Sequence, residues 1–434
     1  MKNVMALGFL LFVGFSHLQG VNSEKVLARQ ILKDSSLCVV HTMAQKLIKT
    51  GFNAGSGYSQ VWIRDFNTFV ETALDVQNQK DIRTALLIFF AFQQPNGEMI
   101  DGYVLKKDFT WSDDHPYMST TDTTHIAFKN TVETDQESSL IQCVGKYIIK
   151  IGDTSILSQK VDGKTVLERM EMMVHYLMKE KYCDKYGLIW GGTTADWGDV
   201  QACSDDLVDI DSATTPAISI YDNAMFIIAL DYLSKMTSNR VQSQKWKSLK
   251  NSIAQNVRKY LWDTKHKKFI PHIYIDKSPM CFPLGFDESK IYYHGGTAIA
   301  IEAGLLNKKE IDESNKHMLD DVQLSGAQSI GLTLYPPYPK NVFHGAMSNP
   351  YIYQNGGDWT WFGARMIQQL IVNGFIKEAY IEMQPMIKRV ILNKGFYEWY
   401  DINGKPAGSG NFKGSAGTLD QAIEMLLKWA DGHR

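Results

Sequence analysis

Tyr186-Gly-Leu-Ile-Trp-Gly-Gly-Thr-Thr-Ala-Asp-Trp-Gly-Asp199 is a glycine-rich segment that sets two acids, Asp196 and Asp199, around one indole, Trp197. A carboxyl held against an indole with little water is pushed toward its protonated form, because burial disfavours the charge. A protonated carboxyl can deliver a proton to a leaving oxygen, which is the acid half of glycosidic cleavage. A single Asp also serves as a turn former or helix cap, and that competing role weighs more on Asp196 than on Asp199. A second segment, Gly395-Phe-Tyr-Glu-Trp-Tyr-Asp-Ile-Asn-Gly404, places Glu398 among aromatics. Glu398 is the candidate base that activates water. Asp401 is the fallback, although Asp401-Ile-Asn-Gly404 also reads as a plain turn. An inverting enzyme holds its two carboxyls roughly 6.5–9.5 Å apart and a retaining one about 5–5.5 Å.

Other segments offer groups that hold a sugar. In Val61-Trp-Ile-Arg-Asp-Phe66, Arg64 and Asp65 can grip adjacent hydroxyls beside Trp62; the competing reading is a helix-start Asp with an Arg partner. Tyr353-Gln-Asn-Gly-Gly-Asp-Trp-Thr-Trp361 supplies Gln354, Asn355 and Asp358, with Asp358 equally able to cap the helix that follows. Glu133 and Asp135 are weaker rim candidates, since acids also favour a helix N-terminus. Trp62, Trp111, Trp190, Trp197, Trp359, Trp361 and Trp399 all fall in or beside polar loops. An apolar sugar face stacks on indole, while the remaining tryptophans would anchor loops to the core. The expected binding set is Trp62, Arg64, Asp65, Trp190, Asp196, Trp197, Gln354, Asn355, Asp358, Trp359 and Trp361.

Several chemistries find no support. Lys and Arg form no run and the formal charge is −2, which argues against nucleic acid and against anionic membranes. The acidic run Ser204 to Asp211 lacks the spacing and Gly of a helix-loop-helix calcium site. No histidine pair with metal spacing, phosphate-binding glycine loop or nucleophile-elbow serine is present. No metal and no cofactor are expected. Five cysteines cannot all pair within one chain. Cys183 with Cys203 could close a loop around the acidic motif, or all five could be buried small hydrophobes.

Positioning these groups falls to helices. Apolar residues recur at helical spacing in eleven stretches: 26–48, 68–76, 81–92, 137–149, 166–178, 224–235, 243–261, 297–305, 359–372, 376–392 and 418–429. One or two more helices are expected. Six long loops rich in Gly, Asp, Trp and Tyr join alternate helices: 51–64, 94–125, 186–221, 269–296, 335–358 and 395–417. Long loops are unusual unless they carry function. The pattern predicts an all-α fold: six helical hairpins in a ring, an (α/α)6 toroid with its functional loops at one end. Lys2 and the short apolar run Leu7 to Phe15 read as a signal peptide over 1–23. The remainder, 24–434, then forms one catalytic domain, secreted and monomeric.

The motifs together resemble the six-hairpin glycosidases: trehalases, neutral invertases, family 63 processing α-glucosidases and the cellobiose-type phosphorylases. Trp62-Ile-Arg-Asp65 is similar to the loop that lines the cleaved sugar's subsite. Asp196-Trp-Gly-Asp199 resembles the phosphorylases' Asp-Trp-x-Asp loop, whose second Asp is the acid. Tyr353-Gln-Asn-Gly356 is similar to a segment of several members. Phe396-Tyr-Glu-Trp-Tyr-Asp401 resembles the hydrolases' Glu-x-Tyr-Asp segment, whose Glu is the base. Where that Glu stands, a phosphorylase would use phosphate. The resemblance implies an inverting hydrolase of α-linked oligosaccharides or disaccharides, exo-acting and glucosidase- or mannosidase-like. Its rivals are a phosphorylase or sugar lyase on the same barrel and a sugar-binding protein without catalysis.

Overall fold

The computed structural model describes residues 23–109 and 116–434. All but the last residue of the expected signal segment, together with Trp111, lie outside the described residues. The helices are α1 (23–33), α2 (Ser35–Ile48), α3 (Ile63–Val76), α4 (Gln79–Ala91), α5 (Gln136–Ile151), α6 (Val166–Glu180) and α7 (Ile220–Met236). They continue as α8 (Arg240–Tyr260), α9 (His294–Glu302), α10 (Lys308–Ser325), α11 (Thr360–Val372), α12 (Ile376–Asn393) and α13 (Lys413–Asp431).

Helices α3, α5, α7, α9, α11 and α13 each pack on the next, and α13 returns to α3, so they close an inner ring. Helices α2, α4, α6, α8, α10 and α12 lie outside them. The burial pattern follows from this arrangement. Every residue from Ile220 to Leu230 of α7 is buried, and so is every residue from His294 to Ile301 of α9, as befits helices enclosed on all sides. The outer α8 buries only Trp246, Ile253 and Val257 along its 21 residues. The (α/α)6 toroid is the fold.

Three departures from the periodicity have physical causes. The apolar stretch 26–48 is two helices, because Asp34 adopts an extended conformation and accepts a hydrogen bond from Ser36 N, capping α2. Helix α10 is absent from the eleven stretches, because it buries only Ile311, Ser314, Asn315, Met318 and Asp321 and is otherwise polar. The inner helices α3, α7 and α13 begin earlier than their apolar repeats do. Their first turns hold buried polar residues, including Arg64 and Asp65, Asp222, and Lys413 and Ser415.

Connections from inner to outer helices are mostly short, such as 77–78, 237–239, 303–307 and 373–375. Those from outer to inner are long, and all six end at the N-terminus of an inner helix. Those N-termini present backbone N–H groups and the positive ends of helix dipoles, a setting that favours carboxylates. The loops are braced by short antiparallel ribbons that an all-α reading does not foresee. Val61–Trp62 pairs with Gly102–Leu105, which pairs in turn with His125–Phe128. Tyr397–Tyr400 pairs with Pro406–Gly410. One disulfide joins Cys203 to Cys281, with Cα atoms 5.5 Å apart. The pairing of Cys203 with Cys183 is therefore corrected: Cys183 stays free in a ribbon against Leu188, while the acidic loop folds toward the loop that carries Cys281. No described helix is long and apolar enough to cross a membrane.

Candidate active site

A cavity of about 860 Å³ opens at the loop-bearing end of the ring. The first segment to line it is 61–65. Trp62 is fixed by the ribbon, and its ring lies across Gly102, where a side-chain Cβ would collide with it. The chain turns at once into α3, so Arg64 and Asp65 enter the cavity wall from the first turn of that helix. Asp101 arrives from the partner strand's approach, 36 residues away in sequence.

Arg64 sits at the centre of a buried ionic cluster. Its guanidinium pairs with Glu133, with Asp135 at 3.3 Å, with Asp199 at 3.6 Å and with Asp101 at 3.7 Å. Burial works against its charge, yet these four carboxylates hold its pKa well above the ordinary guanidinium value. The carboxylates are not all satisfied in return. Burial raises Asp65 to about 8, with Glu398, Asp101 and Asp199 adding repulsion against the relief from Arg64. Burial likewise raises Asp101 to about 7. Glu133 and Asp135 are also raised by burial. They stand behind Arg64 rather than on the rim.

Asp199 lies on the loop before α7, with its side chain 27 % exposed. Gln354 holds it from two sides, donating Nε2 to Asp199 Oδ1 at 2.8 Å while Gln354 Oε1 accepts from Asp199 N at 3.3 Å. Asn130 donates to the Asp199 carbonyl at 2.8 Å. Glu398 lies on the hairpin before α13. Tyr58 O–H donates to it at 2.7 Å, Ser409 N at 2.7 Å and Tyr353 O–H at 3.4 Å. Gly408, with φ +68°, leaves room for its Oε2. Burial raises Glu398 against the lowering effect of these donors. Helices α7 and α13 are three places apart in the ring of six, so the two carboxyls enter the cavity from opposite walls.

The floor is aromatic. Trp197 stacks on Phe362 at 4.1 Å and meets Trp359 and Trp361 edge-on at 4.7 and 5.4 Å. Trp359 Nε1 donates to the Tyr353 carbonyl and Trp361 Nε1 to Thr68. These three are both floor and core.

Four expected sugar-binding residues do not line the cavity, and each has another task. Asp196 turns away and accepts hydrogen bonds from Gly295 N and Gly296 N, both at 2.7 Å, capping α9 from a distant loop. Asn355 clamps Tyr338 through its N and O. Asp358 is bonded to Ser329 and paired with Arg389 at 2.8 Å, and it gives α11 no side-chain cap. Trp190 lies under the Lys181 ammonium at 4.5 Å. Asp401, the alternative base, accepts from Asn403 N and Lys405 N and shapes its own turn. The carboxylates of the acidic run are also engaged locally: Asp206 and Asp211 accept backbone N–H groups of their own loop.

Sequence reading passed over Tyr58, Asp101, Lys129 and Asn130, which line the cavity. Tyr58 had a usable signal, an aromatic four residues before Trp62 in a glycine-rich loop. Asp101 had none, because only the ribbon brings it to Arg64. Away from the cavity, His41 of α2 and Asp420 and Glu424 of α13 place three possible metal-ligand atoms within 4.8 Å of one another. His41 there forms a 2.7 Å pair with Asp420.

Comparison with known proteins adds a family to this geometry. No curated protein sequence matches the chain. Among solved structures, a family 63 mannosylglycerate hydrolase from Thermus thermophilus, in complex with Tris, superposes with a TM-score of 0.61 at 13 % identity, covering 88 % of this chain and 99 % of that one. The same enzyme with glucose gives 0.60 at 12 % identity, covering 90 % and 99 %. A rhamnosidase from Klebsiella oxytoca with rhamnose bound gives 0.57 at 12 % identity, covering 90 % and 64 %. At these identities the likeness is one of fold. Residues 28–368 match the family model described as the glycosyl hydrolase 94 superfamily, catalytic domain, and the chain belongs to that superfamily of carbohydrate-active enzymes.

Proposed function

We propose that this chain hydrolyses an α-linked disaccharide or oligosaccharide with inversion, Asp199 acting as general acid and Glu398 as general base. One observation carries the reading: a single cavity lined by both carboxyls, which come from loops on opposite sides of the ring. In the reaction the bond from the anomeric carbon to the leaving oxygen breaks, and that oxygen takes the Asp199 proton. Water adds to the opposite face of the sugar and gives its proton to Glu398. A base works best with a proton affinity brought toward the working pH, and burial moves Glu398 in that direction. Arg64, Asp65, Trp62 and Gln354 orient the sugar over the tryptophan floor. A pocket closed at its floor favours attack at a chain end. The apolar run behind Lys2 supports export of the mature chain.

Phosphorolysis is the second reading, and one observation favours it. The family match includes Asp199 but ends at residue 368, before Glu398. A sugar-release screen of the purified protein on α- and β-linked gluco-, manno- and galacto-oligosaccharides, run with and without phosphate, separates the two. Phosphate-independent release that is lost in D199N and in E398Q is expected. Release that requires phosphate and survives E398Q would replace hydrolysis with phosphorolysis.

A further inference from the structure

A second hollow, of about 540 Å³, adjoins the segments that carry Tyr58 and Glu398. Asn53, Gly55 and Ser56 line it from the loop before α3, and Gly395 and Phe396 line it from the hairpin before α13. Tyr58 and Glu398 themselves line the larger cavity. Three lysines also border the second hollow: Lys46 on α2, Lys394 at the end of α12 and Lys413 in the first turn of α13. No carboxyl does among the described lining residues. The three lysines stand far apart in the chain, so no basic run marks them and only the fold gathers them.

The state of Lys413 is an independent observation. Lys46 and Lys394 are exposed, but Lys413 is only 2 % exposed. A buried charge is normally paired with an opposite one, and the first turn of a helix disfavours a cation because the dipole is positive there. The Lys413 ammonium instead donates to the Asn53 carbonyl at 2.8 Å and to Asn53 Oδ1 at 2.9 Å. Both acceptors are neutral, and both belong to a residue that lines the hollow. An ammonium has three N–H donors, and the third takes no acceptor among the described residues. Burial pushes the Lys413 pKa down to about 8 against a distant attraction from Asp65. The group that would complete this setting is an anion with several acceptor oxygens.

We propose that the second hollow binds a phosphate-type oxyanion, free or carried on a sugar, with Lys413 at its base and Lys46 and Lys394 at its mouth. The oxyanion accepts the third N–H of Lys413 and offsets a charge that the N-terminus of α13 leaves unfavourable. Met43, Leu47 and Phe396 give the rest of the hollow apolar walls, suited to an uncharged body attached to the anion. The site is separate from the cavity that holds Asp199 and Glu398, and it does not depend on the reaction assigned there.

The test is calorimetric titration of the purified full chain with inorganic phosphate, sulfate and glucose 6-phosphate, with ionic strength held constant by chloride because exposed charges are screened by salt. All three should bind. The K46Q/K394Q double variant changes exposed residues only, so it should fold as the wild type does while losing affinity for all three about tenfold. K413M should abolish the binding, and if that variant fails to fold, the exposed pair still decides. Glucose 6-phosphate that binds more tightly than phosphate in the wild type, with both weakened in K46Q/K394Q, supports the site and names a phosphorylated sugar as its occupant; equal affinities support it and name the free ion. Absence of binding by both inorganic ions would overturn the proposal. So would binding that K46Q/K394Q leaves unchanged, which would put the anion in the larger cavity. The reaction is judged separately. Sugar release that persists in D199N and E398Q would end the two-carboxylate mechanism while leaving the oxyanion site standing, because neither residue lines the second hollow.

Discussion

The two ends of the barrel are built to different rules. At one end most inner helices leave through short connections: Thr237 bonds straight back to α7, and even where the link is longer, Gly152 closes α5 in a left-handed conformation at φ 75°, with nothing near it. At the other end the long loops bring Arg64, Asp101, Asp199 and Glu398 to one cavity, with Glu133 and Asp135 behind Arg64, and several carboxyl oxygens there lack hydrogen-bond partners. Stability is cheap where only the backbone must turn. It is costly where charges must be buried in advance, because a buried ion retains its desolvation cost unless its partners are well placed. Asp65 in the first turn of α3 and Asp135 at the start of α5 recover part of that cost, because a helix N-terminus favours a carboxylate. The division between a stabilising end and a cavity-bearing end can be broken experimentally.

The largest effect should come from the carboxyls proposed as acid and base. D199N and E398Q are each expected to lower kcat about 10³-fold, in the range of general acid–base contributions, with thermal unfolding nearly unchanged. If either retained full activity, the roles assigned here would fall. Next is Arg64→Leu, which strands Glu133, Asp135 and Asp101 in a buried site. Breaking a buried pair costs about 3–5 kcal/mol, so chemical denaturation should show a large loss together with loss of activity. An unchanged midpoint would mean that the cluster is already protonated and uncharged.

Asp196→Ala sharpens the contrast within a single loop. It leaves Gly295 N and Gly296 N without their acceptor, at a cost of about 2 kcal/mol. Activity per folded molecule should fall far less than in D199N. A dead but fully stable D196A would mean that Asp196 reaches the substrate after all.

The pH dependence of stability tests the same end. Asp65 and Asp101 have folded-state pKa values raised above 3.8, to about 8 and about 7. The folded chain therefore binds more protons than the unfolded chain across that interval, and these groups make stability fall as pH rises from about 4 toward 8. Asp65→Asn should flatten this slope and stabilise the protein at pH 8 relative to wild type, as read from denaturation midpoints at several pH values. A slope that is unchanged would place the Asp65 pKa near its ordinary value. The smallest effect belongs to the far end. Gly152→Ala forces a side chain into a left-handed turn and should cost about 1 kcal/mol with kcat unaltered; a loss of activity there would show the two ends to be coupled.

Much of this was legible in the chain. The all-α class and the six-hairpin toroid followed from helical periodicity and from the alternation of long and short connections, because an enclosed helix must be apolar on a repeat. The aromatic loops pointed to the cavity-bearing end, where Asp199 and Glu398 line one cavity. Legibility failed in specific ways. Helix α10 buries too narrow a stripe to register. The starts of α3, α7 and α13 carry buried polar residues that read as loop. Asp358 was weighed as a cap for the helix after it, but it pairs instead with Arg389, which is remote in sequence.

By itself the sequence determined most of the helical segments, the long loops between them, and that acids and indoles concentrate in the loops, because periodicity and composition are local properties. Only the tertiary structure decided which acid faces the cavity. Asp196 and Asp199 stand three residues apart around the same tryptophan, but the N-terminus of α9 comes close enough to claim Asp196, while Gln354, Asn130 and Arg64 hold Asp199 toward the open space. Partners 99 and 155 residues away decide that difference, and no local pattern records them.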